Sequence, residues 1–96
     1  MDIQKELDGS TLNVRVSGSI DTLSAPEFES AVFPALEAVT AIVFDFAELE
    51  YITSAGLRVL LNIHRKVDGN VTIHGARKEV VAGLDTTWFL PLFSMD

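Results

Sequence analysis

The chain has 96 residues, of which 48% are hydrophobic and 22% are charged, and its formal net charge is −7. This length fits one small domain, residues 1–96, with a single hydrophobic core. The acidic balance argues against nucleic-acid binding, because that binding depends on Lys and Arg side chains that neutralise phosphates.

Metal chemistry and membrane insertion are also disfavoured by the sequence. There is no cysteine, and only His64 and His74 could act as imidazole ligands, so we expect no metal and no cofactor. No apolar run approaches the roughly 18 residues that a membrane span requires, and the start of the chain lacks the pattern of a signal peptide. We therefore expect a cytoplasmic protein with no membrane insertion.

The N-terminal segment has the pattern of a β-hairpin. Residues 3–7 and 11–16 flank an Asp-Gly turn at Asp8 and Gly9, which is a strong short-range signal for two antiparallel strands. The second run alternates apolar and polar side chains, so we expect one face of this strand to be buried.

A helix is predicted after this hairpin. Ser24 and Glu27 form a capping box, with Ser24 as the N-cap and Pro26 in the first turn. The apolar positions from Phe28 onward keep helical spacing, but Pro34 removes one hydrogen bond and is expected to kink or break the last turns.

The next segment, residues 41–46, is predicted to be a parallel strand covered on both faces, because its apolar run is nearly continuous. Asp45 interrupts this run. Its carboxylate either helps to arrange the loop that carries Ser54 or accepts hydrogen bonds from nearby backbone N–H groups. We favour the second, structural role, because buried acids are usually paired for stability.

The joint between this strand and the following helix is the most informative stretch. Residues 47–53 are expected to form a loop and residues 55–67 a regular amphipathic helix, with Ser54 as its N-cap. Gly56 costs roughly 1 kcal/mol in the first turn of a helix. A glycine there is explained if another backbone or a phosphate must come close to the positive end of the helix.

The remaining segments complete an α/β pattern. Residues 71–74 are predicted to form a strand, residues 78 to about 87 a third helix, and residues 90–95 an edge strand. The expected fold is a single α/β domain. Its mixed sheet has four to five strands, formed by the N-terminal hairpin and then right-handed parallel crossovers, with three to four helices.

Ser54 lacks the sequence context of a catalytic nucleophile. The Gly-x-Ser-x-Gly pattern is absent, because Ile52 occupies the position two residues before Ser54. His64 follows ten residues later on the same helix, which is roughly 15 Å away, and no phosphate-binding loop motif occurs. We do not expect an enzyme.

The same stretch resembles the signature of STAS domains, the fold of bacterial anti-sigma factor antagonists. The matching residues are Asp45-Phe46-Ala47, Leu49, Tyr51-Ile52-Thr53-Ser54-Ala55-Gly56-Leu57 and Val59-Leu60-Leu61. A second family motif is similar to Gly18-Ser19-Ile20-Asp21 followed by Ala25-Pro26, and the spacing between the two motifs fits. The resemblance covers nearly the whole chain, although the last dozen residues match loosely.

The resemblance implies that Ser54 is a phosphorylation switch. The unmodified domain would bind an anti-sigma factor that is itself a serine kinase, and this binding would make the kinase release its sigma factor. Phosphorylation of Ser54 would break the complex, and a metal-dependent serine phosphatase would restore it. We expect the domain to be monomeric on its own.

The resemblance also implies which residues surround the switch. Thr53 and Ala55 would frame Ser54, Gly56 would let the kinase approach, and Arg58 would contact the partner or the phosphate. The preceding strand-to-helix loop lies at the same sheet edge and is expected to form the second half of the interface, through Asp21, Thr22 and Ser24.

Two positions depart from the commonest family pattern. Thr53 stands where the family usually has an acidic residue, which makes Thr53 an alternative phosphoacceptor, and Ala55 replaces a frequent second serine. Two other readings stay open: Ser54 acts as a helix cap only, or the domain is an unphosphorylated scaffold. A small subunit of a lipid-trafficking transporter, for example, would use the same helix face as a constitutive interface.

Overall fold

A mixed β-sheet with helices packed against it forms the domain. The computed structural model describes residues 1–86 and 93–96. Within them the strands are β1 (Asp2–Asp8), β2 (Thr11–Ile20), β3 (Ala41–Asp45), β4 (Leu49–Ile52), β5 (Val71–His74) and β6 (Ser94–Met95). The helices are α1 (Ala25–Val32), α2 (Ser54–Lys66) and α3 (Lys78–Thr86), and a 3₁₀ turn spans Phe33–Leu36. The predicted α/β fold class is confirmed.

The strand order is β1-β2-β3-β5-β6, and β4 pairs with the last part of β2. β1 and β2 form the predicted antiparallel hairpin, whereas the other pairs are parallel. The prediction of a loop over residues 47–53 was wrong, because β4 occupies most of it. β2 is long enough to bond to β3 along its first half and to β4 along its end, where the register with β4 shifts between Gly18 and Ser19.

The helices lie on one face of the sheet. Each crossover from β2 to β3, from β3 to β5 and from β5 to β6 moves in the same direction across the sheet, and right-handed connections of this kind put their helices on the same side. In β3, Ile42 and Phe44 are buried, whereas Val43 and Asp45 are half-buried. The expectation that this strand is covered on both faces was therefore wrong.

The core lies between the helices and the covered face. Phe44 is at its centre, with ring centroids 5.8 Å from Phe28 of α1 and 5.2 Å from Phe46. The predicted alternation in β2 is confirmed, since Leu12, Val14 and Val16 are buried.

The expected effect of Pro34 is also confirmed. α1 ends at Val32, and the chain continues as the 3₁₀ turn Phe33–Leu36, with Pro34 at its beginning. A proline ring has no N–H to donate and clashes with the preceding turn, so the α-helical hydrogen bonding stops here.

The C-terminal elements follow the predicted order. β5 and α3 lie where they were expected. Of the edge strand predicted over residues 90–95, Ser94 and Met95 pair with Thr72 and Ile73 of β5, and residues 90–92 lie outside the described residues.

Candidate functional site

The candidate site begins where β4 turns into α2. Thr53 is the N-cap of α2, with an extended backbone (φ −95°, ψ 176°), and its carbonyl oxygen accepts the first helical hydrogen bond from Leu57 N–H at 2.9 Å. Ser54 is therefore the first helical residue and not the N-cap, and this prediction was wrong. No side-chain capping hydrogen bond is present at this helix start.

Ser54 is exposed at the N-terminus of α2, which is 13 residues long. The first N–H groups of a helix have no partner within the helix, so this end carries a partial positive charge. Among the described residues, the hydroxyl of Ser54 makes no hydrogen bond. The reading in which Ser54 serves only as a helix cap thus loses its structural basis.

Thr53 is tied to the strand beside it. Its N–H donates to the carbonyl oxygen of Ile20 at 2.9 Å, and its hydroxyl lies 3.4 Å from the same oxygen. The side chain is half-buried. Ile20 is the last residue of β2, so this contact joins the start of α2 to the loop that follows β2.

Gly56 faces the interior, which corrects the reason given for this glycine. The residue is buried, and a Cβ atom added to it would lie 2.6 Å from Cγ2 of Ile20 and 2.7 Å from Cγ1 of Ile52. Such distances are not tolerated between carbon atoms, so glycine is required by the packing of α2 on the strand ends. Gly56 therefore does not provide access for a partner.

The outer side of the first helical turn is formed by Ser54 and Arg58. Arg58 is exposed and lies one turn after Ser54, and its guanidinium makes no ion pair with the described residues. Ala55 is half-buried and packs against the core. The exposed surface of this turn is thus a bare hydroxyl beside a positive charge.

The loop between β2 and α1 is built around the side chain of Asp21. Its Oδ1 accepts hydrogen bonds from Leu23 N–H at 3.0 Å and from Ser24 N–H at 2.9 Å. In return, the hydroxyl of Ser24 accepts from Asp21 N–H at 2.9 Å and donates to the carbonyl oxygen of Ser19 at 2.9 Å. The N–H of Ser24, then its hydroxyl at 3.0 Å from Oδ1, and the N–H of Leu23 donate to the carboxylate of Asp21 and hold its pKa below the ordinary value.

The capping box predicted for α1 is absent. Ser24 precedes the helix but makes no capping hydrogen bond, because its hydroxyl is engaged with Ser19 and Asp21. Glu27 is exposed. Asp21 and Ser24 are half-buried supports of the loop, whereas Thr22, the third residue predicted for the interface, is exposed.

Leu23 was not predicted as a site residue from the sequence. It lies in the same loop, and 90% of its surface is exposed. The available signal was a large apolar side chain inside a turn-forming segment, outside the apolar repeat of the following helix. Its degree of exposure became apparent only with the structure.

Asp45 has the structural role that we favoured. Its Oδ1 accepts a hydrogen bond from Ala47 N–H at 3.0 Å, and its Oδ2 lies 3.3 Å from Nε of Arg15. The carboxylate thus fixes the turn between β3 and β4 and pairs with a neighbouring strand.

The two histidines lie away from Ser54. The ring of His64 meets the ring of Phe93 edge-on at 5.6 Å, and Nδ1 of His74 lies 2.6 Å from Oδ1 of Asp96. Residues 1–86 and 93–96 contain no group of three or more acidic, His or Cys side chains that could hold a metal. In the same part of the chain, none of the helices combines the length and the apolar character that crossing a membrane requires.

Comparisons with known proteins agree with this architecture. Residues 2–96 match the family model described as the STAS domain. Comparison with curated proteins gives no significant match. The structure of the anti-sigma factor antagonist SpoIIAA in its unphosphorylated form is similar, with a TM-score of 0.85 and 19% identity, over 99% of this chain and 88% of that one.

Two further solved structures show the same fold. SpoIIAA in its phosphorylated form, described as a Bacillus cell fate determinant, has a TM-score of 0.75 and 18% identity, over 99% of this chain and 91% of that one. An anti-sigma factor antagonist from Mycobacterium paratuberculosis has a TM-score of 0.86 and 23% identity, over 98% of this chain and 83% of that one. With the family model matching nearly its whole length, the chain belongs to the STAS domain family.

Proposed function

We propose that this chain is a cytoplasmic anti-sigma factor antagonist that is controlled by phosphorylation of Ser54. In its unmodified form it binds an anti-sigma factor that is a serine kinase, and the kinase then releases its sigma factor. Phosphorylation by the same kinase ends the interaction, and a metal-dependent serine phosphatase restores it. The domain itself acts as a binding module and not as an enzyme.

The observation that carries the proposal is the position of Ser54. Its hydroxyl is exposed and unengaged by the described residues at the first residue of α2. A kinase can reach such a group without unfolding the domain. Thr53 is a poorer acceptor, because it is half-buried and its hydroxyl lies against the carbonyl oxygen of Ile20.

The same position explains how the domain tolerates the modification. A phosphoserine adds about −1.5 to −2 charges and three acceptor oxygens. A negative group at a helix N-terminus is stabilising by about 0.3–1 kcal/mol at an exposed site. The fold of the phosphorylated domain is therefore expected to stay the same.

The effect of the phosphate falls on the interface. A surface that packs closely on a bare hydroxyl has no room for a phosphate, and removing its charge from water costs several kcal/mol. Ser54 thus controls docking directly, by size and charge, and no conformational change within the domain is required.

The test is phosphorylation in solution by the anti-sigma factor serine kinases of the same genome. Each kinase is purified and mixed with the chain and Mg-ATP, and the product is read as intact mass. We expect one added phosphate on the unmodified chain and none on Ser54→Ala. Thr53→Val is the matched control, because it removes the neighbouring hydroxyl and is expected to leave phosphorylation intact.

Binding separates this proposal from the scaffold reading. We expect Ser54→Asp to abolish binding to the kinase that modifies the chain. Tight binding to a transporter subunit that is insensitive to Ser54→Asp, with no phosphorylation by any kinase of this class, would contradict the switch and support the scaffold.

A further inference from the structure

The loop between β2 and α1 exposes a large apolar side chain to solvent. Leu23 is 90% exposed, so it adds almost nothing to the core of its own domain. Single exposed leucines are common on protein surfaces and need no explanation by themselves. The distinguishing feature here is how firmly the backbone around Leu23 is fixed.

Several hydrogen bonds brace this loop from within. Asp21 accepts the N–H groups of Leu23 and Ser24, and the carbonyl oxygen of Asp21 accepts Ala25 N–H at 2.7 Å. Ser24 Oγ is bonded to both Asp21 N–H and the carbonyl oxygen of Ser19. The backbone of Leu23 therefore has little freedom left to lose when a partner binds it.

The loop lies next to the phosphorylation site that we propose. Ile20 bonds to Thr53, the residue before Ser54, and Leu23 follows Ile20 by three residues. Three residues span at most about 11 Å. A stable interface covers about 800 Å² of each partner, which corresponds to a disc of roughly 15 Å radius. An extended path from Leu23 through Ile20 and Thr53 to Ser54 would measure about 20 Å. The loop is folded, however, because Ser24 Oγ bonds back to the carbonyl oxygen of Ser19, so Leu23 lies nearer than this limit. A kinase seated on Ser54 is therefore expected to extend to this loop.

We infer that Leu23 is the apolar anchor of the interface and inserts into an apolar pocket on the anti-sigma factor kinase. This inference rests on the proposed function, because it names the part of that partner which meets the loop. Asp21 and Ser24 act as positioning residues that hold the backbone of Leu23 in place. The phosphorylation state of Ser54 determines whether the complex can form.

The size of the expected effect follows from burial. Moving a leucine side chain from water into an apolar pocket corresponds to roughly a tenfold to hundredfold gain in affinity. Interface energy is commonly concentrated in a few such buried anchors. Truncating Leu23 is therefore expected to cost binding without costing stability.

A matched control lies near the other end of β2. Leu7 is also a leucine with a largely exposed side chain, at 62%, and it pairs with Leu12 near the start of β2. Eight residues of strand separate Leu12 from Ile20, which is roughly 26 Å. A substitution of Leu7 thus measures the effect of removing an exposed leucine far from the proposed interface.

The experiment compares Leu23→Ser, Leu23→Met, Leu7→Ser and Ser54→Asp with the unsubstituted chain. Each is titrated against the purified kinase that phosphorylates the chain, and its Kd and thermal midpoint are measured. We expect Leu23→Ser to raise Kd roughly tenfold to hundredfold. Leu23→Met and Leu7→Ser should stay within about threefold of the unsubstituted chain, with thermal midpoints unchanged for all the leucine variants.

Two results would overturn the inference, and they can be told apart. If Leu23→Ser binds as tightly as the unsubstituted chain while Ser54→Asp does not bind, the anchor is wrong and the proposed function stands. If no anti-sigma factor kinase of the genome binds or phosphorylates the unsubstituted chain, the proposed function is wrong and the anchor falls with it.

Discussion

Gly56 of α2 lies directly against Ile20, the last residue of β2. A Cβ atom on Gly56 would come within 2.6 Å of Cγ2 of Ile20. Ile20 is fully buried and Ile52, which lies against the same Cβ position, is nearly so, so neither side chain has space to move away. Because α2 packs so closely on the ends of β2 and β4, this contact determines where Ser54 lies at the sheet edge.

We expect Gly56→Ala to destabilise the domain. Overpacking a well-filled core typically costs 1–3 kcal/mol, and about 1 kcal/mol is recovered because alanine is the better helix former. The net loss in the free energy of unfolding is therefore expected to lie between about 0 and 2 kcal/mol, measured by urea denaturation.

Gly83 of α3 provides the control for this substitution. A Cβ atom there would lie 3.6 Å from the carbonyl oxygen of Ile52 and 3.9 Å from its Cγ2, which is ordinary van der Waals contact. Gly83→Ala is expected to be neutral or to stabilise the domain by up to about 1 kcal/mol. Equal effects of the two substitutions would contradict the packing role of Gly56.

Ser54→Asp is expected to leave the fold intact. The carboxylate lies at the N-terminus of α2, where a negative charge is stabilising by about 0.3–1 kcal/mol. The free energy of unfolding should rise slightly or stay the same, by circular dichroism in urea, and the small gain should shrink in high salt. A loss of more than 1 kcal/mol would show that the phosphate acts by disrupting the domain.

The carboxylate of Asp21 makes the stability of the loop depend on acid pH. Hydrogen bonds from Ser24 hold its pKa below the ordinary value of about 3.9. A group whose pKa is lowered on folding contributes stability that is present above the unfolded pKa and is lost as the pH falls through the folded pKa. Asp21→Asn keeps the acceptor oxygen but removes this dependence.

The measurement is urea denaturation of both proteins between pH 7 and pH 3. The difference in the free energy of unfolding between the unsubstituted chain and Asp21→Asn should be largest near neutral pH and should decline in acid. A difference that stays constant over this range would rule out the ionised carboxylate as the cause.

The pair formed by His74 and Asp96 links β5 to the chain that follows β6, and it responds to pH in the opposite direction. The hydrogen bond to Asp96, followed by its charge and that of Asp45, raises the pKa of His74 above its ordinary value of about 6.5. The stability from this pair is present below pH 6.5 and is lost as the pH rises through the folded pKa.

An NMR titration of the His74 ring tests this relationship. Asp96→Asn should lower the pKa of His74 towards its ordinary value, and Asp45→Asn should lower it less, because Asp45 contributes a weaker and longer-range effect. A larger shift from Asp45→Asn would show that the assigned partner is wrong.

Local patterns in the sequence were sufficient for the hairpin and for two helices. Three patterns depend only on local geometry and agree with the structure: the Asp-Gly turn, the alternation of β2 and the apolar repeat of α2. Pro34 likewise has a local effect, because its ring has no N–H to donate and clashes with the preceding helical turn. The end of α1 at Val32 and the change to a 3₁₀ turn at Phe33 follow from that single residue.

β4 could not be predicted because its pairing is not local. It has four residues, and the central two, Glu50 and Tyr51, are both exposed, so it lacks the alternation of a half-buried strand. Its hydrogen-bond partner is the end of β2, about thirty residues earlier. The open face of β3 was missed for a related reason, since it depends on the strand order of the whole sheet.

The sequence indicated Ser54 as the candidate phosphoacceptor but not the contacts that surround it. Ser54 is exposed, as a phosphoacceptor must be, although it follows the N-cap instead of forming it. The demand for glycine at Gly56 and the bracing of the loop by Asp21 arise from contacts between separate segments, and a single sequence does not record such contacts. Leu23 stood out in the sequence only as an apolar residue in a turn-forming segment, and its exposure required the structure.

The hydrogen bond between Thr53 and Ile20 joins the two segments of the candidate site into one stiff surface. The partner that we propose would therefore meet a braced edge, and little configurational entropy would be lost on contact. Association with such an edge is governed by diffusion and charge, so salt is expected to change the rate of encounter more than the lifetime of the complex.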